Sequence, residues 1–271
     1  MNNADLLNKY RDFLLARGQS LNYWNVIRIF LAYMETQKLE QVNQEIITNF
    51  FNQNNYSKNS RNQFIKAGRD YFTNFLQIPK ENNEWYKIKL LKVERKIPDY
   101  LTEKEIEEAK KYLITYFSRK MTSTKIRALI DFMFVTGIRK AELLNLKRKD
   151  IDLENCKTKV FGKGEKERYI YFTDSVKIEI EDYFKTEVEE ENAFCISLGQ
   201  LHYLMKKIKQ YLGKNVYCHL LRHSGARQMI KKGIPIGAVS RILGHNSLTV
   251  TMMYVDENEE DRRNTYKQKM G

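Results

Sequence analysis

The sequence predicts a mainly α-helical protein with one small antiparallel β-sheet, built in two unequal parts. Three observations predict it. Apolar residues recur at helical spacing along most of the chain, a single pair of β-prone runs interrupts them after residue 156, and a helix-start signal at Thr102 follows a basic, proline-broken stretch. From Asp5 to about Leu76 the repeating positions are Leu6, Tyr10, Phe13 and Leu14, then Ile27, Leu31 and Met34, then Phe64, Ala67, Tyr71 and Phe75. They read as four short helices. Gly18-Gln19-Ser20 separates the first two, Asn43 and Ser57 are placed to cap the third and fourth, and Pro79 follows the end of the fourth. The first domain is therefore expected over residues 1–94, all-α, with the second over 95–271 and a linker around Lys92 to Pro98.

Thr102-Glu103-Lys104-Glu105 matches the T-x-x-E capping box, in which hydroxyl and carboxylate satisfy orphan N–H groups at a helix start. Lys157–Phe161 and Arg168–Phe172 flank GKGEKE, whose two glycines and charges suit a hairpin turn with a basic tip. Helical patterns return at Val176–Val188, Leu201–Leu212, His219–Lys231, Pro235–Leu243 and Ser247–Tyr254.

Composition limits the partners. Lys+Arg number 47 against 34 Asp+Glu, giving +13 and a pI near 9.4, a balance that suits an acidic polymer such as nucleic acid. A charged, soluble surface is the alternative source of the same excess. No run of about 18 apolar residues occurs, and the N-terminus lacks the order of a signal peptide, so a cytoplasmic, nucleoid-associated protein with no membrane partner is expected. Cys156, Cys195 and Cys218 are odd in number and widely spaced, which argues for buried thiols rather than disulfides or a zinc site.

Three of the four histidines, His219, His223 and His245, fall between residue 219 and the end of the chain. In HLLRH, His219 and His223 are four apart, as metal ligands on one helix face would be, yet no H-E-x-x-H glutamate and no third ligand accompany them. A guanidinium beside neutral imidazoles, at Arg222, suits a phosphate instead, and simple pairing on a helix is the third reading. Upstream, Arg139 follows Thr136-Gly137 at the start of a helix whose apolar face is Leu143, Leu144 and Leu146, so it can aim inward.

TGIRKAELLNL, FGKGEKERYI, HLLRHSGARQMIKKG and LGHNSLTVTMMY appear in that order, and with them the chain resembles the tyrosine recombinases of the Xer and phage-integrase family over most of Thr102 to Tyr254. The helical first part resembles that family's SAM-like core-binding domain. The resemblance implies a site-specific recombinase that needs no cofactor, metal or ATP, with Tyr254 as nucleophile forming a 3′-phosphotyrosyl bond. It implies Arg139 and Arg222 on the scissile phosphate, His219 as acceptor of the tyrosine proton, His245 as phosphate hydrogen-bond donor, and Lys163 as general acid, with Lys166 in the same turn as runner-up. Tyr266 is the only tyrosine later than Tyr254, and spacing from His245 selects Tyr254.

The implied partner is double-stranded DNA, clamped between the two domains. The implied assembly is a homo-oligomer, a dimer per site and a tetramer in the synapse, or a mixed assembly with a paralogous recombinase. The acidic run Val255–Asp261 departs from a DNA-binding pattern and is expected to meet a basic surface of a neighbouring protomer. A type IB topoisomerase, typically with lysine at the position of His219, and a non-catalytic DNA-binding protein on the same fold are the alternatives.

Overall fold

The computed structural model describes residues 3–34, 39–93, 99–117, 121–162, 167–186, 191–245 and 247–255, with Arg263, Lys267 and Met270. The chain divides into two compact units, Met1–Arg95 and Lys96–Gly271.

The first unit contains α1 (Asn3–Ala16), α2 (Asn22–Tyr33), α3 (Gln44–Asn54), α4 (Lys58–Asp70) and a short α5 (Glu84–Lys87). The caps form where the sequence places them. The Asn43 side chain accepts from the Ile46 N–H and the Ser57 hydroxyl from the Ser60 N–H, each satisfying a donor that the first helical turn leaves unpaired. Tyr10, Leu14, Ile27, Phe30, Phe50 and Phe64 make the core, and α5 adds the fully buried Trp85. Gly68 on α4 makes room for that indole, because a Cβ there would lie 2.2 Å from its ring. The sequence reading did not extend helices beyond Leu76, since four residues are too few to display a period.

The second unit begins with α6 (Glu103–Phe117) and α7 (Ser123–Thr136). The Thr102 capping box is complete: the Thr102 N–H donates to Glu105 Oε2 at 2.9 Å and the Glu105 N–H to Thr102 Oγ1 at 3.2 Å. Then come α8 (Lys140–Asn145), β1 (Ile151–Asp152), β2 (Lys157–Phe161), β3 (Glu167–Tyr171), α9 (Asp174–Thr186), α10 (Leu198–Leu212), α11 (Cys218–Lys231), α12 (Ile236–Leu243) and α13 (Leu248–Met252). The strands form an antiparallel sheet in the order β1-β2-β3, with Lys159 opposite Tyr169 and Val160 opposite Arg168. Thr158, Val160 and Ile170 turn inward, as a half-buried sheet requires. The mainly helical architecture with one small antiparallel sheet is the one the sequence predicts; β1, only two residues long, escaped it. The hairpin tip carrying Lys163 and Lys166 lies outside the described residues, as do residues 94–98 of the expected linker and nearly all of the tail after Val255.

Of the three cysteines expected to be buried, only Cys218 is. Cys156 and Cys195 are half-buried at left-handed turn positions (φ +49° and +42°), Cys156 packing against the edge of the core. Among the described residues no helix is long and apolar enough to cross a membrane.

The helix α11 is clamped from two sides. Ser224 accepts the Leu101 N–H at 2.8 Å while donating to the Leu220 carbonyl, and Gly225 lies directly under α7. A Cβ at Gly225 would fall 1.9 Å from the Phe134 carbonyl oxygen, which is backbone and cannot swing aside. Gly225→Ala is therefore expected to cost about 1–3 kcal/mol or more through overpacking. Denaturant melts of the full chain would check this; an unchanged midpoint would show that the two helices can separate freely.

Candidate active site

The local sequence dictates how the turn before α8 is made. Gly137 closes α7 in the left-handed region (φ +61°), where a side chain would be strained and where a Cβ would strike Leu243 Cδ2 at 2.6 Å. The chain then passes Ile138 into the core and places Arg139 at the N-cap of α8. Glu142, three residues on, completes a capping box by accepting the Arg139 N–H at 3.0 Å, and takes a second bond from the Arg139 guanidinium at 2.9 Å. The other end of that guanidinium donates to the Gly244 carbonyl at 2.5 Å.

Arg222, on the second turn of α11, is only 1% exposed. Its two terminal nitrogens donate to the Gly137 carbonyl at 2.6 Å and the Leu243 carbonyl at 2.5 Å, which fixes the plane of the guanidinium between α7 and α12. Burial, then the neighbouring cations Arg139 and Arg168, bring its pKa down to about 10, so it stays charged at neutral pH. Glu142 is the compensating charge. Burial would raise its carboxyl, but hydrogen bonds from Arg168 and Arg139 hold it below the ordinary carboxylate range.

Tyr254 follows α13 directly, its ring packed with Ala226, Met229, Val239 and Leu243 and only 4% exposed. Its hydroxyl lies 2.5 Å from Nδ1 of His223. Burial raises the phenol pKa, and Arg222 offsets part of that rise. His223 is pushed the other way, to about 4, by burial and by His219 and Arg222, so its imidazole is neutral at neutral pH, and its tautomer decides whether Nδ1 accepts from the phenol or donates to it. His245, in the turn after α12, has its ring 6.2 Å from that of Tyr254 and its Nδ1 2.8 Å from the Thr251 hydroxyl. It too is depressed to about 4, by burial and then by Arg222 and Arg139.

His219 is the exposed residue of an otherwise buried first turn of α11, with its ring 4.3 Å from that of His223. It borders an open cavity of about 480 Å³ whose wall includes Lys140, His202, Lys206 and Lys209. Among the described residues no cluster of His, Cys, Asp and Glu suits a metal ion.

Five of the six residues singled out in the sequence thus lie in the described part of the second unit, and Lys163 lies outside it. At the phenolic oxygen, however, the structure brings His223 rather than His219. The sequence offered His223 openly in HLLRH, but its i,i+4 spacing from His219 was weighed only as a metal pair. Glu142 was legible as the fourth residue of an N-cap box after Arg139. Arg168 and Thr251 lay inside two of the quoted motifs without a role being read for them, and the three carbonyl acceptors carried no local signal.

A phenol beside a neutral imidazole, in a cluster with two fixed guanidinium groups, has the kinds of group that phosphoryl transfer calls for. Residues 99–261 match the phage integrase family. The tyrosine recombinase XerA of Thermococcus kodakarensis is 30% identical over 221 residues, spanning 78% of this chain and 75% of that protein. The tyrosine recombinase XerD of Staphylococcus haemolyticus is 26% identical over 291 residues, spanning 97% of each. The fold is also that of a lambda integrase dimer bound to a COC′ core site (TM-score 0.72, 18% identity, 97% of this chain and 78% of that one). It is likewise that of the XerH recombinase bound to its difH substrate (TM-score 0.68, 22% identity, 90% and 77%). The chain belongs to the phage integrase family and is a tyrosine site-specific recombinase, an enzyme of DNA breaking and rejoining. A topoisomerase-like or non-catalytic role is not favoured.

The depressed histidines give a pH dependence of folding. Between about pH 6.5 and 4 the unfolded chain protonates His223 and His245 while the folded chain does not, so protons favour unfolding in that window and stability falls as pH drops through it. Above 6.5 the contribution is constant. Melting temperatures of wild type and His223→Asn from pH 8 to 5 check this: the variant should show the shallower decline, and parallel curves would mean that His223 protonates in the folded state as readily as in the unfolded one.

Proposed function

We propose that Tyr254 attacks a phosphodiester of double-stranded DNA, forming a 3′-phosphotyrosyl bond and releasing a 5′-hydroxyl, and that the reverse attack by a 5′-hydroxyl reseals the strand. The observation that carries this reading is the 2.5 Å contact between the Tyr254 hydroxyl and Nδ1 of a neutral His223. A buried phenol with a raised pKa is a poor nucleophile until its proton leaves, and His223 is the acceptor within reach. Arg139 and Arg222 serve the non-bridging oxygens of the phosphate, where fixed donors stabilise the charge of the pentavalent transition state.

His245, with Nδ1 engaged by Thr251, has Nε2 for a phosphate oxygen, and His219 at the exposed rim donates to the same group. Lys163 protonates the leaving 5′-oxygen, a role that rests on its G-K-G position in the hairpin. Energy stored in the tyrosyl ester makes ATP unnecessary for resealing. DNA as partner is supported by the net charge of +13 and by the DNA-bound state of the XerH and lambda integrase structures. On this reading the enzyme works as a homo-oligomer, two protomers per site and four in the synapse, and the first unit is a core-binding domain that shares the hold on DNA.

Tyr254→Phe removes one oxygen and almost no volume. Covalent capture of a nicked suicide substrate should vanish while mobility-shift affinity is kept; a persistent adduct would identify another nucleophile. Arg222→Ala, and His223→Gln by loss of the base, should each slow single-turnover cleavage roughly 100-fold or more. A wild-type rate for His223→Gln would assign the proton to a different acceptor. Affinity should fall by about 0.9 log units per phosphate contact per log unit of salt, and salt-insensitive binding would remove the phosphate backbone as the surface recognised.

A further inference from the structure

Arg168 stands on β3, five residues after Lys163 in FGKGEKERYI, and the proposed chemistry gives it no role, yet its side chain is only 12% exposed and all three guanidinium nitrogens are engaged. Two of them hold both oxygens of the Glu142 carboxylate, at 2.6 and 2.8 Å, and Nε donates to the Ile242 carbonyl at 2.8 Å. Its stem lies against Gly244, where a Cβ would come within 2.8 Å of Cδ and 2.9 Å of Nε. Gly244 is in the left-handed region (φ +64°), and its carbonyl accepts from Arg139. The contacts close a circuit: Arg168 to Glu142, Glu142 to Arg139, Arg139 to the Gly244 carbonyl, and the end of α12 back to Arg168. His245 is the next residue on that circuit.

We infer that Arg168 is a positioning residue for the cleavage reaction, holding the Glu142 carboxylate so that Arg139 remains available to the phosphate and fixing the turn that presents His245. The inference rests on the proposed role of Arg139 and His245. Its physical basis is charge competition. Glu142 is buried and ionised, and a buried carboxylate deprived of one of two cations draws harder on the other. Without Arg168, Glu142 would take Arg139 for itself, and the guanidinium could not turn to a phosphate oxygen. An ion pair serving the fold alone would not need to share its carboxylate with Arg139 or to line the Gly244 turn.

The experiment measures single-turnover cleavage of a suicide substrate, with melting and one-site mobility shifts as controls, on Arg168→Met, Arg168→Lys, Glu142→Gln and the double variant Arg168→Met/Glu142→Gln. Arg168→Met should bind DNA within about twofold of wild type and cleave roughly 100-fold more slowly, the penalty expected when a catalytic group is displaced by about an ångström. Glutamine at 142 can still accept the Arg139 N–H but no longer captures its charge, so the double variant should cleave several-fold faster than Arg168→Met. A purely structural ion pair predicts instead that cleavage follows melting temperature across the variants, with no loss in Arg168→Met when it is assayed well below its melting point.

If Arg168→Met fails to fold, Arg168→Lys decides: a lysine keeps the charge but cannot grip both oxygens and the Ile242 carbonyl at once, and should cleave roughly 10-fold more slowly in a folded protein. Wild-type cleavage by either folded variant, or no recovery in the double variant, overturns the inference. Tyr254→Phe run in parallel separates the two levels: an adduct that persists there sinks the mechanism, whereas its loss alongside a fully active Arg168→Met sinks only the role of Arg168.

Discussion

The second unit depends on one buried guanidinium. Arg222 is nearly inaccessible to solvent, and its two terminal nitrogens bond the carbonyls of Gly137 and Leu243, residues 85 and 21 positions away along the chain. Those carbonyls end α7 and α12, and helix C-termini leave acceptors that no backbone donor can reach. Arg222 satisfies both, and the negative ends of the two helix dipoles help keep its charge in place despite burial. In doing so it brings the Arg139 turn, the HLLRH helix and the His245 turn to one point. Gly137 permits this approach because it has no side chain to collide with Leu243.

That charge adds to what burial already imposes on its titratable neighbours. With Arg222 and Arg139 fixed nearby, the imidazoles of His219, His223 and His245 are all driven towards the neutral form, chiefly by desolvation and then by cationic repulsion. The same desolvation raises Tyr254, so the pair at neutral pH is a protonated phenol and a neutral imidazole in hydrogen-bond contact. Glu142, pinned by two guanidinium groups, stops the cationic cluster from being wholly unbalanced. One anion among several cations leaves the surplus that an incoming phosphate needs on the proposed mechanism.

How far the sequence discloses this arrangement depends on the reach of each interaction. The helices of the first unit, the caps at Asn43, Ser57 and Thr102 and the hairpin strands were legible because their signals are local, at spacings of two to four residues. α5 and β1 were not, being shorter than one period of any pattern. In the site, Arg139, His219, Arg222, His245 and Tyr254 stood out through the order of four motifs, and Glu142 lay within one of them. His223 was visible but its partner was not, since nothing local ties it to a tyrosine 31 residues later. Arg168 was out of reach for the same reason, with acceptors 26 and 74 positions away.

The same contacts define what a phosphate would have to displace on the proposed mechanism. Arg139 is held by Glu142 and the Gly244 carbonyl, and Arg222 by two helix ends. The phenol keeps its proton because burial outweighs the Arg222 field. A phosphate entering on the proposed mechanism would offer Arg139 an acceptor bearing charge rather than a neutral carbonyl, and the exchange of a neutral for a charge-assisted hydrogen bond favours release from Gly244. That same carbonyl belongs to the turn presenting His245, so the departure of Arg139 frees the turn to adjust while Arg168 keeps its stem against Gly244. On the proposed mechanism, a phosphate would therefore compete with backbone carbonyls for the cations that these carbonyls hold.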